Sequence, residues 1–170
     1  MSNLKIIETP TGRTSASPML TSTVLFHLAF PVSNISDTKA YYVEGLGCTS
    51  GRENAHCLIL NLYGHQLVAH VTHDLLEPPK SIYPRHFGLI FSAEADWERL
   101  RNRVEQQQLG FFHPPKKRFQ DSLLEHKTFF LADPFHNLIE IKYYRHPEAI
   151  FGAQDYDAVG DRPATEASSG

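Results

Sequence analysis

The sequence predicts an α+β chain made of two unequal copies of one plan, each a strand, a helix and then two or three further strands. Three observations predict it. Two apolar stretches carry a histidine at or near their start, VLFHLAF at residues 24–30 and HFGLIF at residues 86–91. Each runs into an amphipathic stretch that stops at Leu-Gly, first at Leu46-Gly47 and then at Leu109-Gly110, the sequence signal of a helix C-terminus. After each stop the chain returns to strand-like patterns bounded by turn residues.

Taken in order, residues 24–30 read as the first strand. Ser36 or Asp37 can cap a helix that passes through Tyr41 and Tyr42. Strands at 57–62 and 66–72 follow, joined at Tyr63-Gly64. The stretch 75–84, with Pro78, Pro79 and Pro84, links the two copies. In the second copy a strand at 86–91 precedes a helix at about 95–108. Strands at 128–131 and 137–144 then pair across the turn Asp133-Pro134. Residues 1–22 are rich in Thr, Ser, Pro and Gly. Residues 153–170 are acidic and small, without apolar periodicity, so both ends read as flexible tails outside a single domain at 23–150, with its copies at about 23–74 and 85–146.

Composition narrows the function classes. At 170 residues, 41% hydrophobic and 21% charged, the chain is long enough for one domain with a substantial core. The net charge is -3 and the basic residues are scattered apart from Lys116, Lys117 and Arg118, which argues against nucleic acid as a partner. No run reaches the roughly 18 apolar residues of a membrane span. The N-terminus lacks the order of a signal peptide. Cys48 and Cys57 do not make a CxxC motif and are too few for a disulfide framework, so they read as free thiols of a cytoplasmic protein.

Strand alternation supplies the candidate site. In VLFHLAF, Val24, Phe26, Leu28 and Phe30 share one face and Leu25, His27 and Ala29 the other. In the second opening strand, Phe87, Leu89 and Phe91 oppose His86, Gly88 and Ile90. In NLIEIKYY, Ile139, Ile141 and Tyr143 oppose Leu138, Glu140, Lys142 and Tyr144. His27, His86 and Glu140 therefore all stand opposite the packing face, and small residues (Ala29, Gly88) lie two positions beyond the histidines. His70, with Gln66, Val68 and Thr72, joins them by the same argument. A lone strand histidine is ordinarily structural. Two that open the two copies, with a glutamate closing the second, make a ligand set suited to Fe(II), Mn(II) or a similar metal with positions left open for substrate. His70 is then either a fourth ligand or an acid/base group. His65, His73 and His136 read as surface or supporting residues. His126 and Arg118 fall in a segment that reads more readily as a solvated loop than as part of a cleft, and the segment from Arg145 reads as a C-terminal arm packed across the sheets.

These residues resemble the vicinal oxygen chelate superfamily, which includes glyoxalase I, extradiol dioxygenases, fosfomycin-modifying enzymes and bleomycin-binding proteins. The resemblance covers about residues 23–146 and rests on HLAFPVSNISDTKAYYVEGLG, RHFGLIF and LADPFHNLIEIKYY. The last is similar to a DPxGNxIE signature, with Phe135-His136 where a glycine turn is usual. The resemblance implies two βαβββ modules forming an incompletely closed eight-stranded barrel around a metal site. It implies one divalent metal on His27, His86 and Glu140, with Fe(II) favoured and Mn, Ni or Zn as alternatives. It also implies a small-molecule substrate, and a cleft closed either within one chain or across a two-fold homodimer. Among its reactions the extradiol dioxygenases are nearest, with His70 at the acid/base position. A tyrosine usual about ten residues before the glutamate is replaced by Phe130, and His126 is the candidate to supply that polar contact. The competitors are a glyoxalase-type lyase acting on a thiol adduct, for which Arg118 with Lys116 and Lys117 is the candidate carboxylate patch, and a non-catalytic binding protein.

Overall fold

Strand alternation and the Leu-Gly stops translate directly into two β-sheets, each with one helix. The computed structural model describes residues 24–160. The expected N-terminal tail lies outside them, as do residues 161–170. The first module contains β1 (His27–Val32), α1 (Ile35–Thr38) continuing as a π-helical stretch (Lys39–Gly45), β2 (Thr49–Asn54), β3 (Cys57–Leu62) and β4 (His65–Val71). The second contains β5 (Phe87–Phe91), α2 (Glu94–Gln106), β6 (His113–Arg118), β7 (His126–Ala132) and β8 (Leu138–Tyr144), followed by a 3₁₀ turn (Pro147–Ile150). The two sheets have the same order, β1-β4-β3-β2 and β5-β8-β7-β6. In each, the opening strand lies parallel to the last strand of its module, while the other pairs are antiparallel. This is the expected pair of βαβββ modules with eight strands, and the sheets do not close into one another.

Several boundaries differ from the sequence reading. β1 begins at His27 rather than at Val24, and Val24 and Phe26 stand exposed ahead of it. The first helix is capped by Asn34, whose side chain accepts from the Asp37 amide at 2.8 Å, rather than by Ser36 or Asp37. An Asn side chain in the extended cap position satisfies an amide that the helix itself leaves open. Both Leu-Gly stops hold: Gly47 and Gly110 take positive φ values of 86° and 71°.

One core joins the modules. From the first sheet it takes Phe30, Val32, Leu58, Leu60, Leu67 and Ala69, and from the second Phe129, Leu131, Ile139 and Ile141, with Trp97, Leu100 and Val104 of α2 between them. Polar ties cross the same boundary. Tyr42 donates its hydroxyl to buried Asp133 at 2.9 Å, Arg103 donates to the carbonyls of Glu44 and Gly45 at 2.7 Å each, and Asn137 donates to the Pro31 carbonyl at 2.9 Å. The turn of residues 133–137 is thereby fixed, and Asp133 also accepts from the Phe135 and Asn137 amides. His136 takes the φ of +68° that a glycine would take at lower cost. Both cysteines are free, and no helix among the described residues is long and apolar enough to cross a membrane.

Candidate metal centre and the cavity around it

With one face of each sheet spent on the core, the other face of each is left for chemistry. In the first sheet that face carries His27, Ala29 and Pro31 of β1 beside Gln66, Val68 and His70 of β4, since His27 registers with Gln66 and Pro31 with His70. His27, Ala29, Pro31 and His70 are all exposed. His27 Nδ1 lies 2.8 Å from the Gln66 side-chain oxygen. The expected placement of His27 and His70 on one non-core face is what the structure shows.

In the second sheet the corresponding face carries His86 and Gly88, then Glu140 and Lys142 of β8, then Thr128 and His126 of β7. The register Gly88↔Glu140, Thr128↔Lys142 and Arg118↔His126 sets their spacing. Gly88 is required here by close approach, because a Cβ on it would meet the Glu140 carbonyl oxygen at 1.7 Å. Glu140 is buried, and its carboxylate is fully engaged: Thr128 Oγ1 donates to Oε1 at 2.8 Å, while Oε2 lies 3.1 Å from His86 Nε2 and 3.2 Å from Lys142 Nζ. His86 Nδ1 lies 2.8 Å from the Ile82 carbonyl. A carbonyl only accepts, so Nδ1 carries a proton, and Nε2 is the nitrogen turned to the carboxylate. The imidazole is thus oriented by a backbone carbonyl with its second nitrogen aimed at an acidic oxygen. That is how proteins orient a metal-binding histidine, and the chemistry of this donor pair fits a divalent cation, which His86 and Glu140 would hold.

Of the five predicted site residues, the single chain brings together His86 and Glu140, with His126 in the same cavity. It does not gather His27 with them: among the described residues no group of three or more His, Cys, Asp or Glu side chains is placed to hold a metal. His27 and His70 remain together on the uncovered face of the first sheet.

The solvated-loop reading of His126 and Arg118 is corrected. His126 is the first residue of β7 and is buried, its Nδ1 2.8 Å from the Leu124 carbonyl and its ring 4.8 Å from that of Tyr144. Burial, outweighing that carbonyl, lowers its pKa from the ordinary 6.5, so it is neutral at neutral pH. Arg118 ends β6 and lines the same cavity.

The cavity measures about 460 Å³ over the second sheet and is bordered by His86, Arg118, His126, Phe130, Glu140 and Lys142. Its far wall is the C-terminal arm, Ala149 to Gly160, and Arg118 Nη2 donates to the Gly160 carbonyl. Of the segment expected as a flexible tail from residue 153, residues 153–160 thus form part of the cavity wall. Thr128 was not foreseen as a site residue. A threonine on a strand reads as an ordinary strand former, and only the β7–β8 register shows it beside the glutamate.

Two βαβββ modules of the same strand order, with a histidine and a glutamate converging on one face, define a class of proteins built on paired modules. The chain belongs to the Glyoxalase/Bleomycin resistance protein/Dioxygenase superfamily, whose family profile matches residues 24–141. A glyoxalase/bleomycin resistance protein/dioxygenase from Alicyclobacillus acidocaldarius is 36% identical over 76% of this chain and 97% of its own, with a TM-score of 0.72. A lactoylglutathione lyase from Agrobacterium tumefaciens (14% identity, 72% and 95% covered, TM-score 0.54) shares the fold. So does a fosfomycin resistance protein from Listeria monocytogenes (15% identity, 75% and 98% covered, TM-score 0.56). No curated protein sequence matches the chain.

Proposed function

We propose that this protein is a metal-dependent enzyme that binds two vicinal oxygens of a small organic substrate, with extradiol-type oxygenation as its reaction. The observation that carries the reading is the His86 Nε2 to Glu140 Oε2 approach of 3.1 Å, with both partners held from behind, His86 by the Ile82 carbonyl and Glu140 by Thr128. His86 and Glu140 supply two ligands and His27 the third. Because one chain leaves His27 on an uncovered face of its first sheet, the third ligand comes from a second copy in a two-fold homodimer, where each copy offers its first sheet to the other's second. When bound, the metal supplies Lewis-acid stabilisation of a substrate oxyanion and an open coordination position.

The chain's own residues do the rest. His70, on the same face as His27, accepts the proton of the chelated hydroxyl. Neutral His126 donates a hydrogen bond to a substrate oxygen in place of a tyrosine. Phe130 and the C-terminal arm limit water access. Fe(II) is the metal that suits two imidazoles and one carboxylate in an oxygenase. A lyase of the glyoxalase kind is the second reading, favoured by the presence of Arg118 in the cavity, where it can take a carboxylate of a thiol adduct.

The test is metal content after anaerobic purification. Wild type is expected to carry about one iron per chain, and His27→Ala and Glu140→Ala to lose it, whereas His70→Ala keeps metal and loses turnover. Mixing and refolding His27→Ala with Glu140→Ala chains should restore roughly a quarter of wild-type metal, because half of the random dimers then carry one intact site of two. Equal metal loss in all three variants would make His70 a ligand and favour the lyase, and no restoration on mixing would place the whole site within one chain. Failure of the wild type to take up any divalent metal removes the catalytic reading.

A further inference from the structure

Glu140 is the only carboxylate among the described residues lining the cavity, and Lys142 and Arg118 line it too. Lys142 Nζ lies 3.2 Å from Glu140 Oε2, the same oxygen that faces His86. A divalent cation held by His86 and Glu140 would repel the Lys142 ammonium, leaving it to seek an anion in the cavity. Arg118 lies two strands away on the same face, since Arg118 registers with His126 and Lys142 with Thr128 one pair further along. Two strand spacings and a two-residue offset along the strands put the two backbones roughly 12 Å apart, a gap across which these two long side chains can converge on one group. The guanidinium donates to the Gly160 carbonyl, so an oxygen acceptor from the arm already sits where a ligand oxygen would. A carboxylate is the stronger partner for that planar fork, which it can engage through two parallel hydrogen bonds. Phe119, Leu124, Phe130 and Ile150 supply apolar wall beside the more polar Tyr83, Tyr144 and Gln154, and the volume of about 460 Å³ suits a small ring-bearing molecule.

We infer that the substrate is an organic acid, a carboxylate on an apolar or aromatic body, whose carboxylate is held between Lys142 and Arg118 next to the chelating oxygens. The inference rests on the proposed function for the position of those oxygens, but the cation pair binds the acid with or without a metal. In the metal-free protein Lys142 is shared with Glu140, and the acid binds less tightly for that reason.

Titration calorimetry on the full chain tests this with mandelate and its neutral analogue mandelamide as probes. Metal-loaded wild type should prefer the acid by about tenfold or more. Lys142→Met, which leaves Arg118 alone, should cut that preference severalfold, while Lys142→Arg retains it. In metal-free protein, Glu140→Gln releases Lys142 and should tighten mandelate severalfold over metal-free wild type. Equal binding of acid and amide, a preference undiminished in Lys142→Met, or no mandelate binding by either wild type or Glu140→Gln overturns the inference. Should Glu140→Gln lose metal but gain no affinity for mandelate, the inference falls and the metal reading stands. If instead it gains affinity while wild type takes up no metal, the metal reading falls and the inference stands.

Discussion

The carboxylate of Glu140 is held from three sides, and each contact has a separate consequence. Thr128 fixes one oxygen without adding charge, so it governs where the other oxygen points. Replacing it with valine keeps the strand's shape and removes the donor. Thr128→Val is expected to leave the fold intact and weaken metal affinity about ten- to a hundredfold, read by competition with a chromogenic chelator. Unchanged affinity would mean that packing alone orients the carboxylate. At this scale the sequence was informative wherever a residue's face followed from alternation: His86, Glu140, Lys142, His27 and His70 all lie on the sides predicted for them. It was uninformative for Thr128, and for His126 only the family resemblance, not strand alternation, pointed to the site, because both positions depend on which strand lies next to which, a long-range fact that no local pattern records.

Among the elements, β2 and β6 left no signal of their own. TSGREN is exposed throughout and HPPKKR contains two prolines, so neither shows the apolar alternation of a half-buried strand. Each is the edge strand of its sheet, held by one neighbour, and both pairings contain an irregularity in register. The buried strands β3, β7 and β8 were legible because burial demanded apolar residues there. The closest tie between element and site is the β5–β8 contact at Gly88, where only a missing side chain lets the strands approach beside Glu140. Gly88→Ala is expected to cost about 3 kcal/mol by chemical denaturation and to remove metal binding in whatever protein still folds. A stable variant with normal metal content would show that β5 can shift without disturbing the site.

In the molecule as a whole, the modules are coupled through a shared core and through Asp133, which is buried and receives the Tyr42 hydroxyl from the other module. Burial, outweighing those donors, raises the Asp133 carboxyl above its ordinary 3.8. The native state therefore holds this proton more readily than the unfolded chain does. The resulting contribution is fully present below about pH 3.8 and is lost as pH rises through the raised native value. Asp133→Asn keeps an acceptor for Tyr42 and is expected to flatten that decline in thermal stability on the alkaline side of pH 3.8. A profile parallel to wild type would show that the group's proton is not coupled to folding. The two-module plan was readable in advance because both copies use the same signals. The sequence reading set His27 beside His86 and Glu140, whereas within one chain the described residues bring together only His86 and Glu140. The wall made by residues 149–160 separates two kinds of inheritance. The ligand-bearing strands cannot vary without disturbing the core they share, whereas the arm beyond β8 contributes one buried side chain, Ala149, and borders the space a substrate must enter. Substitutions in that short segment can change what the protein admits while leaving the fold's stability almost untouched, so related chains with the same strands can diverge in diet through their last few turns of backbone.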